Sequence, residues 1–532
     1  MREPASPAGS RPAIAPRSAA PDPVLTRTIL AATLVAALLR MYRLGHQSLW
    51  IDEQFTLTSA GVPGPLVWRD LLQNVHGPLH TLAVALAATL GGTSEWVLRS
   101  PSALAGIALV PAMAWLARVW TGRETVPAAV WLTAASPFLV WYSQECRNYS
   151  FLLLGSTLAT AALFELARHC ESRGVARYAL AAVAAALSNL SFALLVPLHA
   201  WRWFAPGPTQ RWRRMAAGRL AFVLALAVAP WLPAIGGIWD WSRLNPVRAV
   251  PAAEAGLRGG HTMHAAAVPF ALHAFAMGYS GGPSLRELRR SPEAAVRAHL
   301  PELVLAGLVF GWLGLLGLRA LARRGLLADT GLWLVAPALV VSYFAANNFK
   351  VFHPRYVAVS LPCLLLVVAA AFADLGPRMR RVLALAVALL WAGSLARATF
   401  DPKYGREDYR AALQHVRAGF TPGERVLAVG APDPVEWYGR GLPVARWWLG
   451  FAAVPERMQQ TLTDSLQRGP GTWVVLSRAM DDDPEGRCER WLDAHTPSSR
   501  RWTTDGVQVW HVKREDLVAA ETAPGTARSI LR

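Results

Sequence analysis

From Val24 to Phe400 the chain is a succession of apolar runs about 17–22 residues long, joined by short polar segments rich in arginine. Runs of that length match the hydrocarbon thickness of a bilayer. The pattern predicts membrane segments over about 24–43, 78–92, 98–119, 125–141, 149–167, 177–188, 190–204, 218–238, 302–323, 330–348, 355–374 and 380–399. Two places strain this scheme. The stretch from Tyr178 to Trp203 must cross and return in about 25 residues, and Ser188, Asn189 and Ser191 sit at its middle. Two short helices meeting at a break are expected there, with a cavity beside it, because non-helical backbone at that depth needs protein or water around it. The run Pro78–Gly92 is only about 15 residues long and ends in two glycines, the length of a re-entrant or buried segment rather than a full span. If it does cross, one basic joint lies outside and the count moves by one.

After Phe400 the texture changes. Glu407–Arg417 has the spacing of an amphipathic helix and Thr421-Pro422-Gly423 of a turn, while Val426–Val429, Trp473–Leu476 and Val507–Val512 are strand candidates. The fold class expected is an all-α polytopic membrane protein of about 11–13 segments with a small C-terminal soluble α/β domain. Its parts are a disordered cytoplasmic leader (1–23), a membrane body (24–400) and a soluble external domain (401–532).

Composition agrees. Of 532 residues 53% are hydrophobic and 17% charged, against about 25% charged in soluble domains. The net charge of +18 suggests nucleic acid at first, but the arginines fall in the joints. Arg168–Arg177, Arg202–Arg219, Arg319–Arg324 and Arg378–Arg381 are all expected to face the cytoplasm. A basic, aromatic-studded soluble face, which nucleic acid needs, is missing from the pattern. The first run lacks a small-residue cleavage site and reads as a retained helix. Cys146, Cys170, Cys363 and Cys488 are far apart, with no spacing that implies a disulfide framework or a zinc site. With this topology the segments 44–77, 239–301 and 345–354, the turn around Tyr142–Tyr149 and the tail all come to the external face.

Polar clusters fall on that face. Trp50-Ile51-Asp52-Glu53 places two adjacent acids just beyond the first membrane helix, where ionisable groups are costly and become candidates for function. Arg40 and Arg43 stand at the external end of that helix, against the positive-inside bias, placed to meet a lipid phosphate; snorkelling is the plainer explanation. His76-Gly77-Pro78-Leu79-His80 opens the next apolar run, and a histidine at a proline-started helix can point a donor at a phosphate. Tyr142-Ser143-Gln144-Glu145-Cys146-Arg147 sets a carboxylate and an arginine between two apolar runs. Lys350, His353, Arg355 and Tyr356 form a last cluster, with the cations a phosphate clamp needs. Asp481-Asp482-Asp483 reads as a solvated loop.

Taken in order, Trp50-Ile51-Asp52-Glu53, His76-Gly77-Pro78-Leu79, Tyr142-Ser143-Gln144-Glu145-Cys146-Arg147 and Pro354-Arg355-Tyr356 resemble the GT-C superfamily of integral membrane glycosyltransferases. The likeness is to the protein O-mannosyltransferase and lipid A aminoarabinose transferase (glycosyltransferase family 39-like) group. It covers about residues 24–400, with Cys146 standing where such proteins often carry Ala and His76 where some carry Lys. The resemblance implies a sugar donor on a polyprenyl phosphate and transfer to a glycan, lipid or protein acceptor on the external face of the inner (plasma) membrane. A polyprenyl phosphate leaves as a stable anion, so the chemistry asks for one base and for cations at the phosphate. Asp52 is then the base, and single displacement inverts the anomeric centre, by analogy with inverting hydrolases. Glu53 and Glu145 position the acceptor or, as the alternative, a divalent cation (Mg or Mn); no cofactor is otherwise required. Arg40, Arg43, His76, His80, Arg147, Lys350, His353, Arg355 and Tyr356 are the phosphate candidates. The rivals are a lipid-linked-sugar flippase without transferase chemistry and an envelope assembly partner. The first should show pseudo-symmetric halves, and no internal repeat is evident. The second gives the membrane-boundary charges no role.

Overall fold

The structure is a computed structural model, and it describes residues 22–66, 68, 71, 76–168, 172–206, 210–229, 263, 265–347, 352–447, 455–478 and 486–516. The leader, Cys170, Lys350, Asp481-Asp482-Asp483 and much of the 239–301 segment fall outside them.

Helix α1 (Pro23–Met41) starts on Asp22, whose carboxylate accepts from the Val24 N–H at 2.9 Å, with proline at the first helical position. At its far end the Gln144 amide donates to the carbonyls of Leu39, Arg40 and Tyr42, which no longer have helical partners. The chain then forms the short α2 (Ile51–Ser59), α3 (Pro78–Gly91) and the long α4 (Glu95–Trp120). Helix α3 does not cross. Its first turn bonds Ser102 through His80, and its last glycine packs by Val97, so both ends lie beside the first eight residues of α4.

Helices α5 (Val126–Ala135) and α6 (Pro137–Ser143) are one span bent by 52°. Pro137 has no N–H, so the Thr133 carbonyl four residues earlier loses its helical donor. Arg40 supplies the replacement, donating to the carbonyls of Thr133 (3.1 Å) and Ala134 (2.8 Å). Gly106 of α4 faces this brace; a Cβ there would meet the Ser143 side chain and lie 2.9 Å from Arg40 Nε.

Next come α7 (Tyr149–Arg168), α8 (Ser172–Ser188) and α9 (Val196–Phe204). The expected break between α8 and α9 is there. Asn189 caps a 3-10 turn over Leu190–Leu195, and Asn148 donates to the Ser188 carbonyl at 2.6 Å. Helix α10 (Gln210–Val228) follows, then α11 (Ala267–Met277), α12 (Leu285–Arg290) and α13 (Pro292–Ala298) within the predicted external segment. Helices α14 (Leu300–Arg323), α15 (Leu327–Ala346), α16 (Leu361–Asp374, entered through a 3-10 turn over Pro354–Ser360) and α17 (Pro377–Phe400) complete the body.

By length and composition seven of the described helices can cross a membrane, eight with the bent pair, fewer than the 11–13 expected from the pattern. The difference lies in α3, which returns; in α8 and α9, shortened by the break; and in α10, whose first half carries four arginines. The protein is nevertheless a multi-span membrane protein, and its two ends are distinct. At one end Arg324 pairs with Glu124 (2.9 Å) and Asp374 (3.1 Å), Arg123 with Asp22 (2.6 Å) and Arg202 with Asp329. The tail and the 44–50 segment meet at the other.

The tail is an α/β domain. Its five-stranded sheet has the order β2-β1-β3-β5-β4, with β1 (Arg425–Val429) parallel to both β2 (Val444–Trp447) and β3 (Gly471–Ser477). β5 (Val507–Lys513) runs antiparallel to β3 and β4 (Arg501–Thr504). One apolar layer sets Leu427, Val429, Val474 and Leu476 against α20 (Pro455–Gln467) and α21 (Arg487–His495). The other sets Val426, Ala428 and Val475 against α18 (Tyr409–Gly419) and α19 (Pro432–Tyr438), and it also takes in Ile51 of α2. Membrane body and tail therefore share a core.

The arrangement predicts labelling. After replacement of Cys170, single cysteines at Gly64 and Arg440 should react with an impermeant maleimide from one side of sealed vesicles, and a cysteine at Arg323 only from the other. Opposite sidedness for Gly64 and Arg440 contradicts the fold.

Candidate active site

The site is built around a buried ion pair. Arg99, in the second turn of α4, spends all five of its N–H groups. Nε and one Nη2 hydrogen go to the two oxygens of Glu53 at 2.8 and 2.7 Å; the rest go to the carbonyls of Leu44 (3.0 Å), Gln47 (2.8 Å) and Ser48 (3.0 Å). Glu53 is fully buried and also accepts from the Trp50 N–H (3.3 Å), closing a capping box on α2, and from the Cys146 N–H (2.7 Å). One pair thus fixes the 44–53 segment against the turn at 145–147. Burial would push Glu53 up, but the Arg99 charge outweighs it and holds the carboxyl below the ordinary glutamate value. The oxygens of Glu53, expected to handle the acceptor, are occupied within the protein.

Asp52, one residue earlier, takes a different direction on the helix. Its Oδ2 accepts from Arg355 Nη1 at 2.5 Å. Arg147 Nη1 donates to the Asp52 carbonyl (2.8 Å) and to Thr56 Oγ1 (3.2 Å), and Nη2 donates to His76 Nε2 (2.9 Å), so the His76 proton sits on Nδ1. Burial disfavours the Asp52 carboxylate; Arg355 and Arg147 outweigh it and hold its pKa below the usual aspartate range. Arg355 also donates to the Tyr356 hydroxyl (3.3 Å) and lies over that ring. His353 Nδ1 accepts the Arg355 N–H at 3.2 Å, leaving the proton on Nε2, and burial followed by the Arg355 charge pushes this imidazole down to about 3. It is a neutral donor, not a cation. His80 lies below, donating to Ser102, which in turn donates to the Arg147 carbonyl.

Glu145 forms the other flank. Its Oε1 accepts from Trp141 Nε1 (2.8 Å) and from Arg406 Nη2 (2.6 Å). Burial raises its pKa, Arg406 opposes this, and the charges of Glu53 and Asp52 add to the rise. Arg406 arrives from the start of the tail, between the rings of Trp50 (5.5 Å) and Trp141 (5.1 Å), with Nη1 3.6 Å from Glu53.

The structure thus gathers Asp52, His76, Arg147, His353, Arg355 and Tyr356 in one cluster, with Glu53 and Glu145 beside it. Arg40 is elsewhere, bracing the bent helix. Arg43 lies in a separate cleft near the end of α1, against His46. Lys350 lies outside the described residues. Sequence reasoning missed Arg99 and Arg406. An arginine inside an apolar run was signal enough for the first; nothing local marks the second. Among the described residues, the buried Nε atoms of Arg147, Arg355 and Arg406 have no acceptor. A buried unsatisfied donor costs about 1–3 kcal/mol, and the first two belong to the cations holding Asp52, so the cluster suits a negatively charged oxygen. No group of three or more His, Cys, Asp or Glu among the described residues is disposed to hold a metal ion.

Removing one partner of a buried ion pair costs about 3–5 kcal/mol. Glu53→Gln and Arg99→Leu should therefore each lower the unfolding midpoint in detergent strongly. The double variant should lose less than the sum of the two.

No protein-family model matches the chain, and no curated protein matches it in sequence. Solved structures do match it in shape. ArnT from Cupriavidus metallidurans in the apo state aligns over 93% of this chain and 99% of its own, with a TM-score of 0.57 and 14% identity. The same protein bound to undecaprenyl phosphate aligns over 92% and 97%, at 0.53 and 14%. The archaeal oligosaccharyltransferase AglB from Archaeoglobus fulgidus, in complex with an inhibitory peptide and a dolichol-phosphate, aligns over 93% and 75%, at 0.53 and 12%. The chain has the fold of the GT-C membrane glycosyltransferases.

Proposed function

We propose that this protein transfers a sugar from a polyprenyl-phosphate donor to an acceptor hydroxyl at the external face of the cytoplasmic membrane, with inversion. The observation that carries the reading is the Asp52 carboxylate, paired with Arg355, beside Arg147, which donates to the Asp52 backbone carbonyl; each arginine has a buried Nε–H to spare. The shared fold supports it, since ArnT has been seen with undecaprenyl phosphate and AglB with a dolichol-phosphate. The basic end of the body faces the cytoplasm by the positive-inside rule, which puts Asp52 outside.

The reaction follows from the residues. An acceptor oxygen attacks the anomeric carbon while Asp52 takes its proton, and the bond from that carbon to the phosphate oxygen breaks. The electron pair leaves with the phosphate, whose growing charge Arg355 and Arg147 receive. In the resting pair Arg355 keeps Asp52 ionised but weakly basic. When the donor phosphate draws Arg355 away, burial becomes the stronger influence and the carboxylate becomes a better base. Glu145, anchored by Trp141 and Arg406, orients the acceptor.

Asp52→Asn keeps size and polarity but removes the base. Transfer from a radiolabelled polyprenyl-phosphate sugar should fall by about 10²–10⁴-fold, with donor binding retained. Near-wild-type turnover in well-folded Asp52→Asn refutes the reading and leaves lipid transport in its place. A second test uses pH. The Asp52 pKa, depressed by Arg355 and Arg147 against the effect of burial, puts the acid limb of kcat/KM below the ordinary aspartate range. In Arg355→Gln the burial effect is less opposed, so the limb should move to higher pH as donor affinity falls; an unmoved limb removes Arg355 from contact with the base.

A further inference from the structure

A second cleft lies at the same end of the molecule, between the end of α1, the bent span and the end of α17. Its walls are of two kinds. Leu39, Leu395 and Ala398 give an apolar side, and the same two helices expose Leu38, Tyr42 and Phe400 to the surroundings of the body. Arg43, His46 and Arg406 give the other. No acidic residue is among the described residues that line it, so all its formal charge is positive.

The arginines differ in what they have left. Arg99 reaches the lining, but all its donors are used. Arg406 bonds Glu145 through Nη2 and keeps its buried Nε without an acceptor. Arg43 is held by His46 and by the face of Phe400, 5.5 Å from the ring centroid; no carboxylate pairs with it among the described residues. Its backbone is left-handed, at φ 55°, a conformation that non-glycine residues rarely adopt. Trp141 and the Glu145–Arg406 pair separate this cleft from Asp52 and Arg355.

We propose that the cleft is a second anion site, distinct from the one at Asp52 and Arg355, and that it takes the phosphate of a membrane lipid. Arg43, without a carboxylate partner among the described residues, faces an apolar wall at the boundary with the spare Nε–H of Arg406 beside it, which matches a phosphorylated headgroup with its chain along α1 and α17. Because the site is read by binding rather than turnover, it stands or falls independently of the transferase reading.

The test is lipid retention by the full-length protein in phosphatidylcholine nanodiscs carrying a titrated fraction of phosphatidic acid, counted by native mass spectrometry. Wild type should retain phosphatidic acid selectively. Arg43→Gln should weaken retention at least tenfold and Arg43→Lys much less, and in an Arg355→Gln background Arg43→Gln should still remove retained phosphatidic acid. Leu395→Trp, which fills the apolar wall, should weaken phosphatidic acid but not inorganic phosphate, and it reads the same cleft should Arg43→Gln fail to fold. Wild-type retention by folded Arg43→Gln or Leu395→Trp overturns the proposal. So does complete loss of retention in Arg355→Gln, which would mean a single site. Inorganic phosphate competing as well as phosphatidic acid would identify the ligand as a free anion and overturn the lipid assignment.

Discussion

The pair between Glu53 and Arg99 is the constraint on which the site depends. It lies at a membrane boundary with no solvent around it, where an unmatched charge is untenable, so the two must be formed together. Arg99 fastens three carbonyls of the 44–48 segment, and Glu53 fastens the first turn of α2 and the turn at Cys146. Three pieces of chain far apart in sequence are thereby held to one geometry. Asp52 gains its direction from this, since the helix that Glu53 anchors turns its neighbour toward Arg355. Glu53 is immobile within the protein, and its neighbour Asp52 is held in one direction by that anchoring.

Five arginines at this end look alike in the sequence and differ in what remains of their hydrogen-bonding capacity. Arg40 replaces donors that Pro137 withholds from the bent span. Arg99 is saturated. Arg147, Arg355 and Arg406 each keep one buried N–H unmatched. An arginine can serve as mortar or as a binding group, and the count of its used donors separates the two.

This is also where legibility in the sequence ended. The apolar periodicity located the seven span-length helices to within a few residues but set α10 about eight residues late, and the break at Asn189 followed from too little chain for two full spans. Three of the five strands were readable, because β3 is wholly buried, β1 is buried but for its first residue and β5 keeps Val507, Val509, Trp510 and Val512 inside. The two missed, β2 and β4, are four-residue edge strands whose residues are half exposed and carry no clean alternation. Asp52 and Arg355 stood out as charges at membrane boundaries. Glu53 and Arg40 stood out for the same reason, and nothing local could tell that their atoms were already committed. Arg406 was invisible, since its meaning comes from Glu145, 261 residues away.

That separation has a consequence for how the protein is made. Arg406 follows the last membrane helix, so it leaves the ribosome after Asp52, Glu53, Glu145, Arg147 and Arg355. Until then Glu145 has its tryptophan donor but no countercharge, and Ile51 has no apolar layer to enter. The nascent membrane body is in this respect a lock without its bolt. The tail thus closes the site through Arg406 and Ile51 as well as extending the molecule.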